Sequence, residues 1–268
     1  MRKHLLIPII TIISVFSIVL IGCSGAPEDT GNIKFTANGE DFVRQGFLSK
    51  DGWRIDFDHI YVVLADVTAY QTDPPYDAHS GSDIKSAVKV GLDGVNTVDL
   101  AEGNADAPPI LVGNSTAAAG HYNAISWKMV KASSGAASGC SLVIIGNAAK
   151  DGKSIDFTIK IDREYAYSCG EFVGESRKGV VQKGGTADVE MTFHFDHIFG
   201  DSEIPLDDDL NLGAVGFDPF AVIAQNGVLD IDMTELKSKL SAEDYKILSE
   251  TLTTLGHVGE GHCHCNGL

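Results

Sequence analysis

The alternation of apolar and polar residues predicts β-strands through most of the chain. In "WRIDFDHIYVVLADVTAY" apolar positions recur at every second residue, which is the period of a strand with one buried face. This alternation gives one face five side chains: Ile55, Phe57, His59, Tyr61 and Val63. Similar segments follow, separated by glycine- and aspartate-rich turns such as Asp151-Gly152. The pattern predicts a mainly β fold, an antiparallel β-sandwich of the immunoglobulin-like or transthyretin-like kind, over residues 32–200.

The pattern changes after Gly200. Residues 201–231 form an irregular acidic connector, and two capping boxes then predict a short helical hairpin over residues 232–256. The boxes pair Asp232 with Glu235 and Ser241 with Asp244. The second helix carries an apolar stripe that predicts a packing face: Tyr245, Leu248, Leu252 and Leu255, with Gly256 at the C-terminal cap. Residues 257–268 remain as a tail rich in histidine and cysteine.

The N-terminus has the layout of an export signal over residues 1–22. Arg2 and Lys3 precede an apolar run that ends in Leu20-Ile21-Gly22-Cys23, and this sequence resembles the lipobox of bacterial lipoproteins. The resemblance implies cleavage before Cys23, lipidation of that residue with acyl chains such as palmitate, and a tether over residues 23–31. Ser24 implies the outer membrane in a Gram-negative cell, on its periplasmic or surface face. A plain signal peptide or an uncleaved anchor are the alternatives.

Composition narrows the function. The chain has 20 Lys and Arg against 37 Asp and Glu. Because residues 1–22 carry Arg2 and Lys3 and no acidic residue, the mature chain would carry a net charge of about −19. Such a surface repels nucleic acid and attracts cations, so nucleic-acid binding is not expected. In an oxidising compartment disulfides persist, and the sequence predicts one between Cys140 and Cys169. Four cysteines besides Cys23 allow three full pairings, and two buried thiols are the alternative.

The C-terminal tail "HVGEGHCHCNGL" is the main candidate for chemistry. Imidazole and thiolate are the ligands that zinc and copper prefer, and the glycines permit the bends that a site would need. The candidate ligands are His257, His262, Cys263, His264 and Cys265. An unstructured tail or one closed by a disulfide is the alternative. The chain lacks a CxxCH motif, so no haem is predicted.

Two further sets of residues are secondary candidates. The triplet Phe-Asp-His occurs twice, and alternation turns both His59 and His197 toward apolar neighbours, where they would either bind a metal or be satisfied by hydrogen bonds. Calcium is a less favoured ligand, because the acidic stretch has Leu212 at the sixth loop position, where an EF-hand needs glycine. The calcium candidates are Asp207, Asp209, Asn211 and Asp218.

Several segments carry a resemblance to known families. The elements "IDFDHIYVVLADVTAY", "NTVDLAEGN", "AAGHYNAISWKM", "SIDFTIKID" and "GGTADVEMTFHFD" resemble the bacterial lipoprotein β-sandwich domains of unknown function that share VDL and AGxY elements. A more distant similarity is to the methanobactin-associated copper-binding protein family. The resemblance covers about residues 54–197 and implies an exported β-sandwich, but it transfers no catalytic residue.

These observations together predict a lipid-anchored binding protein of the cell envelope. A transition metal, zinc or copper, is the expected ligand. One alternative is a structural or interaction lipoprotein that binds an envelope protein or a glycan without metal. Another is a metal-dependent envelope enzyme, although HExxH, GxSxG, Walker and GxGxxG motifs are all missing from the sequence.

Overall fold

A computed structural model describes residues 29–268. The predicted export signal, Cys23 and most of the tether lie outside the described residues. The strands are β1 (Thr30–Asn38), β2 (Phe47–Leu48), β3 (Arg54–Gln71), β4 (Val88–Gly91), β5 (Val95–Asp99), β6 (Ile110–Ala118), β7 (Gly120–His121), β8 (Ala124–Met129), β9 (Leu142–Lys150), β10 (Lys153–Ile161), β11 (Tyr165–Cys169), β12 (Val180–Val181), β13 (Thr186–Phe193), β14 (Val228–Asp232), β15 (Gly256–Val258) and β16 (Gly261–Gly267). The helices are α1 (Phe42–Gln45), α2 (Asp196–Phe199), α3 (Asp209–Gly213), α4 (Asp218–Ile223), α5 (Met233–Lys239) and α6 (Ala242–Thr251), and a 3₁₀ turn spans Ala78–Ser80.

Most strands belong to one large mixed sheet. Its main order is β14-β10-β9-β3-β8-β11-β16-β15-β13-β1-β6, and β2, β4 and β5 pair along the long strand β3. The pairs β1–β13 and β10–β14 are parallel, while the other pairs are antiparallel. The mainly β prediction is therefore confirmed, but the architecture is a curled sheet that resembles a half-barrel and not clearly an antiparallel sandwich. The parallel pairs depend on long crossovers, which a local pattern of alternation does not reveal.

The C-terminal hairpin joins the two halves of this sheet. Strand β16 pairs with β11 on one side and with β15 on the other, and β15 continues to β13. Residues 257–268, which the sequence suggests are a tail, are thus central strands. The predicted connector is also partly regular, because it contains α3, α4 and most of β14.

The long strand β3 contains a bulge that changes which side chains are buried. The register with β9 passes from Phe57 opposite Gly146 to His59 opposite Ile145, so Asp58 is an extra residue. Because one inserted residue reverses the alternation, Ile60 and Val62 face the main core beyond the bulge, and His59 faces outward.

The local predictions near the C-terminus are largely confirmed. The carboxylate of Asp232 accepts from the Glu235 amide, and the Ser241 hydroxyl oxygen accepts from the Asp244 amide. The stripe of the second helix is buried as expected at Leu248, Leu252 and Leu255. Gly256, in contrast, begins β15 and does not cap the helix. Within residues 29–268, no helix has the length and apolar character that crossing a membrane requires.

Candidate metal centre

Two chain segments that are far apart in sequence form a cluster of histidines at the seam of the sheet. One segment is the turn that follows β13, and the other is the β15–β16 hairpin. We call this group the histidine cluster; its members are His194, Asp196, His197, His257 and His262.

The first segment supplies two histidines through a change from strand to helix. Strand β13 ends at Phe193, and the amide of His197 then donates to the carbonyl of His194. A helical turn brings side chains three positions apart to the same face, so the imidazoles of His194 and His197 converge. The potential ligand atoms of His194, Asp196 and His197 all lie within 4.8 Å of one another. These three residues form a group that could hold a metal ion.

The second segment supplies two more histidines as a cross-strand pair. His257 in β15 lies directly opposite His262 in β16, and their ring centroids are 5.0 Å apart. The loop between the strands is Gly259-Glu260, and Gly259 has φ of +58°. A side chain on Gly259 would meet the carbonyl oxygen of Val173, so this tight turn requires glycine.

The two segments meet through His257. Its ring centroid lies 4.3 Å from that of His194 and 5.1 Å from that of His197. Backbone bonds hold this arrangement: the amide of His194 donates to the Leu255 carbonyl, and Thr192 pairs with His257 across the ladder. His257 and His262 therefore lie on paired strands and not on a loose tail.

Thr254 determines which nitrogen of two histidines carries a free lone pair. Nε2 of His257 lies 3.0 Å from the Thr254 carbonyl oxygen, which can only accept, so Nε2 is protonated and Nδ1 carries the lone pair. The Thr254 hydroxyl donates to the Thr251 carbonyl and so accepts from Nδ1 of His197 at 3.2 Å. Nε2 of His197 is therefore the free acceptor. Ligating histidines typically donate their other ring N–H to a backbone or side-chain oxygen in this way.

Buried polar atoms without partners are concentrated in this cluster. Among the described residues, four buried side-chain nitrogen or oxygen atoms lack a hydrogen bond, and three of them are Nε2 of His194, Oδ1 of Asp196 and Nδ1 of His257. The fourth is Nε1 of Trp127. Each such atom costs about 1–3 kcal/mol. Three such atoms in one place single out this cluster as a candidate binding site.

Burial also keeps the imidazoles neutral. Burial, together with smaller repulsion from neighbouring imidazoles, lowers the pKa of His257 to about 3 and that of His197 to about 4. The pKa of His194 is lowered as well, mainly by burial. Neutral imidazole is the form that binds metal, so the rings need not lose protons at neutral pH.

Two carboxyl groups complete the surroundings. Burial raises the pKa of Glu40 to about 7 and that of Asp196 to about 6. An oxygen of Glu40 lies 3.5 Å from Nε2 of His194, which is longer than a normal hydrogen bond. Because the imidazole is neutral, the two residues do not form an ion pair. A divalent cation would favour the ionised carboxylates and bind the free imidazole nitrogens.

The thiols predicted as ligands are used elsewhere. Cys263 forms a disulfide with Cys169, so the predicted Cys140–Cys169 pairing is wrong, and Cys140 is free. The reason is the register of β11 with β16, which places Cys169 opposite Cys263. Cys265 lies opposite Tyr167, and burial raises the pKa of its thiol to about 12, so it is a poor source of thiolate.

Of the three other histidines predicted as ligands, only one lies in the histidine cluster. His197 lies in the cluster, although on a helical turn and not on the predicted strand. His59 does not lie there: the bulge turns it outward, where Nδ1 is 2.7 Å from Asp99 and the ring stacks on Tyr61. His264 is directed toward the 3₁₀ turn, near Gly81.

Two of the predicted calcium ligands in the acidic stretch make hydrogen bonds within the protein. The amide side chain of Asn211 is buried and bonds to backbone groups of Asp201, Ile204 and Pro205. The carboxylate of Asp218 accepts from the indole N–H of Trp53. Two of the four predicted calcium ligands therefore already have partners within the protein.

Sequence reasoning missed His194, Asp196 and Glu40. Strict alternation along "MTFHFDHIF" places His194 on the face opposite His197, and this holds only for one continuous strand. The spacing of the two histidines, three residues apart with an aspartate between them, was the available indication of a turn.

Comparison of this chain with models of known protein families, with characterised proteins and with solved structures finds no match. The interpretation of the site therefore depends on its own geometry.

Proposed function

We propose that this protein is a lipid-anchored binding protein of the cell envelope that holds one divalent transition-metal ion, zinc or copper, in the histidine cluster. The observation that carries the proposal is Nδ1 of His257, which is buried, has its lone pair free and has no partner in the described protein. A ring whose other nitrogen is already bonded to a carbonyl can use that lone pair to bind a cation.

The donor atoms favour a transition metal over calcium. The cluster offers imidazole nitrogens and carboxylate oxygens, which suit Zn²⁺ and Cu²⁺, whereas calcium prefers sites made only of oxygen. Thiolates contribute little, because one nearby cysteine is in a disulfide and the other has a raised thiol pKa. The ligands we assign are His194, His197 and His257, with Asp196 and His262 able to add a fourth.

Metal analysis of the mature lipid-anchored protein, purified in detergent, tests the proposal. After exposure to Zn²⁺ or Cu²⁺ and dialysis, we expect about one equivalent of metal by mass spectrometry. The double variant His194→Ala/His257→Ala is expected to lose it. The matched control is His59→Ala, which removes a histidine outside the cluster. Circular dichroism of each variant establishes that the fold is retained. Equal metal content in all three proteins, or none in the wild type, would contradict the proposal.

The anchor needs its own experiment. The sequence Leu20-Ile21-Gly22-Cys23 supports lipidation at Cys23. Mass spectrometry of the protein from a bacterial membrane fraction is expected to find a chain that begins at an acylated Cys23. A full-length unmodified chain in the cytosol would contradict the assigned compartment.

A further inference from the structure

A cleft of about 430 Å³ opens beside the histidine cluster. Two histidines of the cluster, His197 and His262, form part of its lining. The other lining residues come from α3, from the last residue of α6 and from the segment that follows it: Asp209, Leu210, Gly213, Thr251 and Thr254. The cleft therefore connects solvent with the place where a metal would be bound, and its volume is in the range of small-molecule sites.

The walls of this cleft are apolar in effect, although they contain two threonines. The Thr251 hydroxyl donates to the Gly213 carbonyl at 2.9 Å, and the Thr254 hydroxyl donates to the Thr251 carbonyl at 3.0 Å. Because both hydroxyl hydrogens are already used, the threonines offer mainly their methyl groups to a ligand. Leu210 adds an aliphatic side chain. Such a surface favours a ring or a short hydrocarbon chain.

The negative charge around the cleft favours a neutral ligand over an anionic one. Asp209 lines the cleft, Asp196 belongs to the cluster, Glu40 lies beside it, and the whole chain has a net charge of −17. An anionic ligand would be repelled by these groups, whereas a neutral nitrogen donor would not. The bound metal supplies the attraction at the base of the cleft.

We propose that the cleft receives a small neutral molecule with an apolar ring or chain and one nitrogen donor, which coordinates the metal from the cleft side. This inference rests on the proposed function, because the metal is the anchor of the ligand. The site then binds a ligand of defined class and is not only a store for the ion.

Two probes that differ only by an apolar group test this proposal. The full-length protein is loaded with Co²⁺, whose visible absorption reports changes in its ligands, and is titrated with imidazole or with 4-phenylimidazole. We expect the phenyl compound to bind roughly tenfold more tightly, because the cleft buries its ring. The metal content is measured after each titration to establish that the probe does not remove the ion.

A cleft-filling variant provides the matched comparison. A side-chain carbon built on Gly213 meets no atom within 4 Å, so Gly213→Leu should fill the cleft without a clash at that carbon. Gly267 at the end of β16 has the same open surroundings and does not line the cleft, so Gly267→Leu is the control. Gly213→Leu is expected to retain Co²⁺ and to lose the preference for the phenyl compound, and Gly267→Leu is expected to keep both.

The outcomes distinguish this inference from the proposed function. A protein that takes up no metal contradicts both. A protein that takes up metal but binds the two probes equally, or keeps the preference in Gly213→Leu, contradicts the ligand proposal alone.

Discussion

Thr254 and His257 are joined by a hydrogen bond of 3.0 Å between the carbonyl oxygen of the first and Nε2 of the second. This bond leaves Nδ1 of His257 as a buried acceptor without a partner. The same threonine accepts from His197 through its hydroxyl group, so one residue at the end of the C-terminal helix orients two histidines.

The first prediction concerns this orienting residue. Thr254→Val removes the hydroxyl that accepts from His197 and keeps the backbone carbonyl that accepts from His257. We expect the affinity for Zn²⁺ to fall by about 10–100-fold, which is typical when an outer-shell partner is lost. Competition with a chromogenic chelator measures this affinity. The neighbouring Thr253→Val, whose hydroxyl donates to Glu250, is the control and should bind as the wild type does. An unchanged affinity for Zn²⁺ in Thr254→Val would contradict the proposal that the Thr254 hydroxyl orients His197.

The second prediction concerns pH in the metal-free protein. The pKa of His257 is about 3 in the folded state and 6.5 in its ordinary state, so the unfolded chain takes up the proton first as the pH falls. The contribution of neutral His257 to stability is therefore fully present above pH 6.5 and is lost as the pH falls toward 3. The free energy of unfolding should decrease in this window by up to about 1.4 kcal/mol per pH unit from this residue.

Urea unfolding in the presence of a chelator, from pH 7 to pH 4, measures this dependence. Glu40 acts in the opposite direction, because its raised pKa makes the folded state hold a proton that the unfolded state releases. The comparison of wild type with His257→Gln isolates the histidine, and the variant should show the smaller loss of stability on acidification. Parallel curves for the two proteins would mean that His257 is not held neutral by the fold.

The third prediction concerns the disulfide between Cys169 and Cys263, which are 94 positions apart. Closing a loop of this length stabilises a protein by about 4–5 kcal/mol in the chain-entropy model. Replacing both cysteines by serine should lower the free energy of unfolding by up to this amount, as measured by denaturant titration. Cys140→Ser, which removes a free thiol, is the control. A strong loss of stability in Cys140→Ser would contradict the pairing of Cys169 with Cys263.

The fourth prediction concerns Gly256 at the start of β15. A side-chain carbon at this position would lie 2.7 Å from the ring of Tyr167 and 2.8 Å from that of Trp127. Gly256→Ala should therefore cost about 1–3 kcal/mol of stability through overpacking. Gly267→Ala, with no atom within 4 Å, should change little. Thermal unfolding of both variants measures the difference, and equal melting temperatures would show that β15 does not pack closely on these rings.

The sequence by itself determined the local structure of this protein. The two-residue period of the strands and the two capping boxes depend on neighbours a few positions away, and the structure contains them. The glycine turn at Asp151-Gly152 is also present, with positive φ at both residues. These features follow from short-range sterics and hydrogen bonding, so a single sequence is enough to predict them.

Only the tertiary structure decided the sheet order, the disulfide and the histidine cluster. The bulge at Asp58 turned His59 away from the core, and a helical turn after Phe193 brought His194 and His197 together. The C-terminal segment became two central strands because β11 and β13 each had an edge that it could pair with. Such long-range pairing is set by the burial and hydrogen bonding of the whole sheet, and no local pattern records it.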